Sequence, residues 1–163
     1  MESVAGIIFS PDRVSVLLIL RRDVPVWVLP GGGIERGEMP ENAIQREIFE
    51  ETCYVTKCQR LVGDYIPINR LAKRTLLFEC TILSGSPQIT PETKGVQFFP
   101  LDQLPPLPPP YGEWIEDARY PLPPLQKKLK SVNYLSLIKH ALRHPVLVAR
   151  FLLAKSGFPI NSA

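Results

Sequence analysis

Val4 to Phe9 and Val14 to Leu20 are dense in β-branched and aliphatic residues and flank the polar turn Ser10-Pro11-Asp12-Arg13, which predicts an antiparallel strand pair. Val26-Trp27-Val28-Leu29 predicts another short strand, running into Pro30-Gly31-Gly32-Gly33, where the backbone is expected to turn sharply. From Pro40 to about Thr52 the period changes. Ala43, Ile44 and Ile48 fall on one helical stripe and Glu47, Glu50 and Glu51 on another, with Pro40 suited to a first helical turn and Glu41 adding a favourable charge there. Strand patterns return at about 60–68, 75–83 and 96–101. Strands on both sides of a helix predict an α/β or α+β sandwich with a mixed sheet.

Beyond these elements the pattern is less regular. Eight prolines lie between Leu104 and Leu125, around a short helix candidate at Tyr111 to Arg119. From about Leu125 to Arg143 the spacing of Leu129, Val132, Leu135, Ile138 and Leu142 predicts a helix, which Pro145 breaks or kinks before 146–155. The division that follows is a domain at 1–119 and a proline-containing, basic helical extension at 120–163.

Charge sharpens that division. Residues 1–117 hold 11 basic and all 16 acidic side chains, whereas 118–163 hold 8 basic ones and none that is acidic. The tail's mixture of Lys127, Lys128, Lys130, Lys139, Arg143, Arg150 and Lys155 with Leu135, Ile138, Leu142, Val146 to Val148, Phe151 and Leu152 is compatible with a membrane-surface helix or an RNA contact. The preferred reading is a helical hairpin packed on the core or on a second subunit, so a homodimer is compatible with the sequence. Cys53, Cys58 and Cys80 have neither disulfide-framework nor zinc-ligand spacing, and no secretion signal or run of about 20 apolar residues occurs, which points to a cytoplasmic protein.

The acidic helix face carries the chemistry. Three carboxylates within one turn repel one another unless a cation compensates them, and Mg²⁺ favours such hard oxygen ligands. A glycine-rich loop just ahead of the helix would let phosphate and metal approach the backbone. A solvated helix whose glutamates pair with Arg36 and Arg46 would explain the helix alone equally well.

Spacing separates these readings. Gly32, five residues, Glu38, seven residues and then Arg46-Glu47-Ile48-Phe49-Glu50-Glu51 resembles the Nudix box, G-x5-E-x7-R-E-U-x-E-E-x-G-U with U bulky and apolar. At ordinary residue usage such a match arises by chance on the order of once in a hundred thousand chains of this length. Arg21-Arg22 through Gly32 resembles the strand and loop ahead of the box, and Phe98 to Pro105 the family's final core strand and turn. The resemblance covers about Met1 to Arg119. One position departs: Cys53 replaces the box's last glycine, with Tyr54 in the following apolar position, and a local change at the helix end is expected.

The resemblance implies a Nudix-like α/β/α sandwich and Mg²⁺-dependent hydrolysis of a phosphoanhydride in a nucleoside diphosphate-linked substrate, with Mn²⁺ as a substitute cation. It implies Glu50 and Glu51 as metal ligands, Glu47 as a further ligand or the base that activates water, and a carbonyl of Gly31 or Gly32 as another ligand. Glu38 would bind a second metal or hold the loop, Arg46 would orient the carboxylates, and Glu92 is the candidate later acid. Arg21, Arg22, Lys73 and Arg74 are candidate phosphate contacts, and Trp27 or Tyr65 a stacking surface for a base. A small nucleotide such as a nucleoside triphosphate is the preferred substrate, with dinucleoside polyphosphates, nucleotide sugars and capped RNA as alternatives. A Nudix-fold module that binds nucleotide without cleaving it is the rival function, and the complete acidic set argues against it.

Overall fold

A computed structural model describes residues 2–146 and 149. Its strands are β1 (Ser3–Ile7), β2 (Ser15–Arg21), β3 (Trp27–Val28), β4 (Gly31–Gly33), β5 (Val55–Pro67), β6 (Thr75–Ser84), β7 (Thr93–Pro100) and β8 (Leu125–Leu129). Its helices are α1 (Pro40–Thr52), α2 (Tyr111–Ala118) and α3 (Tyr134–Arg143). A five-stranded mixed sheet runs in the order β4-β1-β6-β5-β8, and a three-stranded antiparallel sheet in the order β3-β2-β7.

Helices cover both sides of this β layer. Ala43, Ile44 and Ile48 of α1 pack with Val4, Ile8, Leu17, Phe78 and Cys80. A second cluster gathers Ala5, Ile7, Val16, Leu18, Val62, Tyr65 and Leu77 with Trp114, Ile115 and Ala118 of α2. Alternate residues of β1 and β2 therefore enter opposite clusters, which is why both strands read as unbroken apolar runs. The α/β/α sandwich expected from the sequence is the architecture observed.

Three expectations change. The first two strands meet only through a bridge between Phe9 and Val16; β1 continues into the five-stranded sheet and β2 into the other. The glycine run does not simply turn: it forms β4, antiparallel to β1, with Val4 opposite Gly32. Residues 125–129 are not helical. They form β8, parallel to β5 with Gly63 opposite Leu125, and Leu129 and Val132 are buried in the α2-side core. The segment beyond 119 thus begins as part of the core, and only α3 retains the expected helix.

The end of α1 also differs from expectation. Cys53 keeps the left-handed conformation, with φ 61° and ψ 13°, and its N–H donates to the Phe49 carbonyl at 2.8 Å. The helix terminus is not remodelled; the cysteine accepts the strain that a glycine would avoid, about 1–2 kcal/mol. Neighbours hold it in place. Gln88 N–H donates to the Thr52 carbonyl at 3.1 Å, and the Thr93 hydroxyl donates to the Glu51 carbonyl at 2.8 Å.

Candidate active site

Two backbone features bring α1 against β4. A Cβ on Gly31 would lie 2.3 Å from the Val4 carbonyl oxygen, and one on Gly32 would lie 2.4 Å from the carboxyl group of Glu47. The backbone contact and the positive φ of 154° require glycine at Gly31, whereas a side chain at Gly32 would displace the Glu47 carboxyl group. The gap at Gly32 is filled by that carboxylate.

Glu51 points inward from α1 and is 4% exposed. Its Oε2 accepts a 2.8 Å hydrogen bond from the Gly31 N–H. Burial pushes its carboxyl up to about 8; the Gly31 N–H opposes that shift, and the charge of Glu47 reinforces it. Glu47 is also raised, chiefly by burial, with Arg46 opposing. Two adjacent carboxyls that resist ionisation are a site prepared for positive charge.

Arg46 supplies part of that charge. Its Nε and Nη2 donate to the two oxygens of Glu38 at 2.9 and 3.0 Å, its Nη1 to Glu47 at 2.9 Å and to Glu50 at 3.2 Å, and Nη2 also to the Gly33 carbonyl at 3.0 Å. One guanidinium thus joins both ends of the loop–helix unit. Glu38 in turn accepts from the Glu35 N–H at 3.0 Å, closing the loop, and its carboxyl is lowered mainly by Arg46. Among the described residues no three His, Cys, Asp or Glu side chains form a ready cation cage; Glu47 and Glu50 are hydrogen-bonded to Arg46, and Glu51 to Gly31.

The donor set nevertheless fits a hard cation. Glu47, Glu50 and Glu51 are all oxygen donors on one helix face beside a glycine backbone, and the buried carboxyl of Glu51 would be relieved by a divalent charge. Glu92 joins them electrostatically: its charge raises both Glu47 and Glu51, and its carbonyl accepts from the Arg22 N–H at 2.9 Å.

The remaining candidates separate. Arg21 faces the site, where its charge acts on Glu51, and it is held by Asp23 through bonds of 2.8 and 2.6 Å. Arg22 turns one guanidinium nitrogen to the carbonyls of Thr90 and Thr93, which tie down the loop carrying Glu92. Trp27 packs edge-on against Phe99, with ring centroids 4.7 Å apart, and lies over Gly95. Arg74 is ion-paired with Asp64 and Glu2. Tyr65 is fully buried and donates its hydroxyl to Asp117 at 2.9 Å, so it offers no face to a base.

A cavity of about 360 Å³ opens beside Gly31 to Gly33 and is lined by Arg21, Lys73, Tyr111, Trp114 and Val132. No local pattern in the sequence marks Tyr111, Trp114 or Val132 for this role. Trp114 is 5% exposed and its indole N–H has no hydrogen-bond partner. Its only sequence signal is an aromatic on a short helix after the proline run, which is indistinguishable from an ordinary core position.

Residues 1–118 match the family model of the Nudix domain. The chain is similar to an ADP-ribose pyrophosphatase of Methanocaldococcus jannaschii, at 34% identity over 111 residues and 64% of each chain. It is also similar to a MutT-like protein of Streptomyces ambofaciens, at 33% identity over 102 residues, 63% of this chain and 65% of that one. It spans just under two thirds of the length of these two relatives. Among solved structures, a UDP-X diphosphatase superposes with TM-score 0.64 at 31% identity, covering 72% of this chain and 60% of that one. An ADP-ribose pyrophosphatase from Streptococcus suis superposes with TM-score 0.62 at 26% identity, covering 78% and 97%.

Proposed function

The chain belongs to the Nudix family, and from that premise we propose that it hydrolyses the phosphoanhydride bond of a nucleoside diphosphate-linked substrate, with Mg²⁺ as its cation and Mn²⁺ as a substitute. The observation that carries this reading is the buried Glu51 carboxyl, hydrogen-bonded to Gly31 and flanked by Glu47 and the Arg46 bracket. Such a costly arrangement has a purpose if a divalent cation is to be held there.

Glu50, Glu51 and Glu47 would hold the cation, with a carbonyl of Gly31 or Gly32 and the nearby Glu92 as further donors. When bound, the cation neutralises charge on the phosphate oxygens and makes water more acidic. The chain's own groups do the rest. Arg46 keeps Glu47 and Glu50 on one side of the loop, while Glu38 fixes Arg46. Glu47, with its carboxyl raised by burial, is suited to take a proton from the attacking water. Arg21 and Lys73 offer positive charge to the phosphates at the cavity mouth.

Within this class we favour a nucleoside diphosphate joined to a sugar over a nucleoside triphosphate. Support comes from the names of the similar proteins and from a partly apolar cavity large enough for a ring beside the glycine strand. The test is a panel of nucleotide sugars, nucleoside triphosphates, dinucleoside polyphosphates and capped RNA, assayed with and without Mg²⁺ for wild type, Glu50→Gln and Glu51→Gln. Cation-dependent product release that both variants lose is the expected result. A wild type inert on every substrate, or variants as active as wild type, overturns the assignment.

A further inference from the structure

The helix α3 turns Ser136, Leu137, His140 and Ala141 toward the protein, where each is half-buried. Ser136, His140 and His144, with the exposed Lys139 and Arg143 at its rim, border a cleft whose opposite wall is Pro108 to Pro110 and Glu113. The apolar stripe faces away: Leu135 is 61% exposed, Ile138 55% and Leu142 76%, and Tyr134 at the helix start is 68% exposed. No residue of α3 is buried. At about 100° per residue, positions 135, 138 and 142 fall within about 60° of the helix circumference, with Lys139 and Arg143 along one border. Among the described residues this stripe does not pack on the core, one of the two placements that the sequence left for the tail, the other being a second subunit. Leu147, Val148, Arg150, Phe151, Leu152 and Lys155, the remaining tail positions of that reading, lie outside the described residues.

A row of aliphatic side chains this exposed calls for a cover, and the charges around it select which kind. From Ala118 to the end of the chain there are eight basic residues and no acidic one. A second copy docked through the same stripe would place Lys139 and Arg143 of each chain near those of the other, because a two-fold interface repeats the same patch on both sides. No carboxylate of this segment is there to offset that repulsion. An anionic lipid surface has the complementary properties: it buries the aliphatic stripe in its interfacial layer and pairs with the flanking cations, whose long stems reach up to the headgroups.

We propose that α3 is a membrane-surface helix that docks this protein on anionic lipid through Leu135, Ile138 and Leu142, with Lys139 and Arg143 as headgroup contacts. Among the described residues no helix is long and apolar enough to cross a bilayer, so the helix lies in the interface. The catalytic cavity opens beside β4, and docking does not depend on the hydrolysis reading.

The experiment is co-sedimentation of the full chain with vesicles of phosphatidylcholine alone or with about one quarter phosphatidylglycerol, at low and high salt. Wild type is expected to pellet with the anionic vesicles, to be released by salt and to stay in solution with the neutral ones. Ile138→Glu with Leu142→Glu should lower partitioning by at least about tenfold, since it removes two apolar contacts and adds two like charges. Lys139→Ala with Arg143→Ala should reduce anionic binding severalfold while leaving any neutral binding unchanged. Both pairs are exposed, so unchanged thermal unfolding checks the fold. Absence of pelleting, or equal pelleting of Ile138→Glu/Leu142→Glu, overturns the proposal. So does a wild-type dimer in light scattering that the same double variant dissociates while wild type ignores lipid.

Discussion

Replacing Glu51 with glutamine removes the most heavily perturbed carboxyl of the site without changing its shape. In the folded, metal-free protein this carboxyl titrates near 8 instead of its ordinary 4.5. Below about pH 4.5 it is protonated in both folded and unfolded chains and contributes no pH dependence. As pH rises, the unfolded chain ionises first, so the folded state is progressively disfavoured until it too ionises near pH 8. One pH unit of difference corresponds to about 1.4 kcal/mol, and the interval allows a loss of roughly 3–5 kcal/mol across that window. Glu47, raised in the same direction, adds to the slope. Urea unfolding in the presence of EDTA at pH 4.5, 6.5 and 8.5 measures it. Wild type should lose stability toward high pH, and Glu51→Gln should lose at least about 2 kcal/mol less over the same range. Mg²⁺ added at pH 8.5 should restore stability to wild type and much less to the variant. A Glu51→Gln slope equal to that of wild type would refute the argument that burial governs this carboxyl.

Gly32→Ala places a methyl group 2.4 Å from the Glu47 carboxyl; hydrolysis of the best substrate should fall at least about tenfold while unfolding changes by less than about 2 kcal/mol, and undiminished kcat/KM would count against Glu47 as a working group. Cys53→Gly relieves a left-handed cysteine with φ 61° and should stabilise by about 0.5–1 kcal/mol, the strain released less the added freedom of the unfolded chain; a lower Tm would contradict this. Leu129→Ala opens the α2-side core at a side chain 1% exposed and should cost about 2–5 kcal/mol in urea unfolding, whereas a change below 1 kcal/mol would mean that β8 is not integral to the domain.

The helix bearing the carboxylates was legible in the sequence almost to the residue, because Pro40 marks its start and two stripes of opposite chemistry run along it. The common face of Glu47, Glu50 and Glu51 was legible from spacing, since carboxylates three and four apart lie side by side on a helix. The hydrogen bond from Gly31 to Glu51 was not, because it depends on β4 pairing with β1 rather than on local pattern. The same applies to Arg46: its sequence position suggests orientation, but only the fold shows one guanidinium spanning Glu38, Glu47, Glu50 and Gly33. β8 was misread because Leu125, Lys127 and Leu129 alternate while Leu129, Val132 and Leu135 also fit a helical stripe; pairing with β5, far away in the chain, decides between the two. Arg22 and Arg74 were reasonable phosphate contacts as isolated cations, and their partners, the Thr90 and Thr93 carbonyls and Asp64 with Glu2, are tertiary.

The position of β8 also has a consequence for how the protein is made. Asn69, just past β5, donates through its side chain to the Val132 carbonyl, a contact 63 residues long, and β8 joins β5 in parallel, a geometry no tight hairpin can deliver. During synthesis, β5 must therefore wait with an open flank until Leu125 to Leu129 have left the ribosome. In that interval its unpaired backbone is a template for a neighbouring nascent chain. Slow elongation between 70 and 125 should raise aggregation, and a chaperone that shields β5 until Leu129 emerges should suppress it.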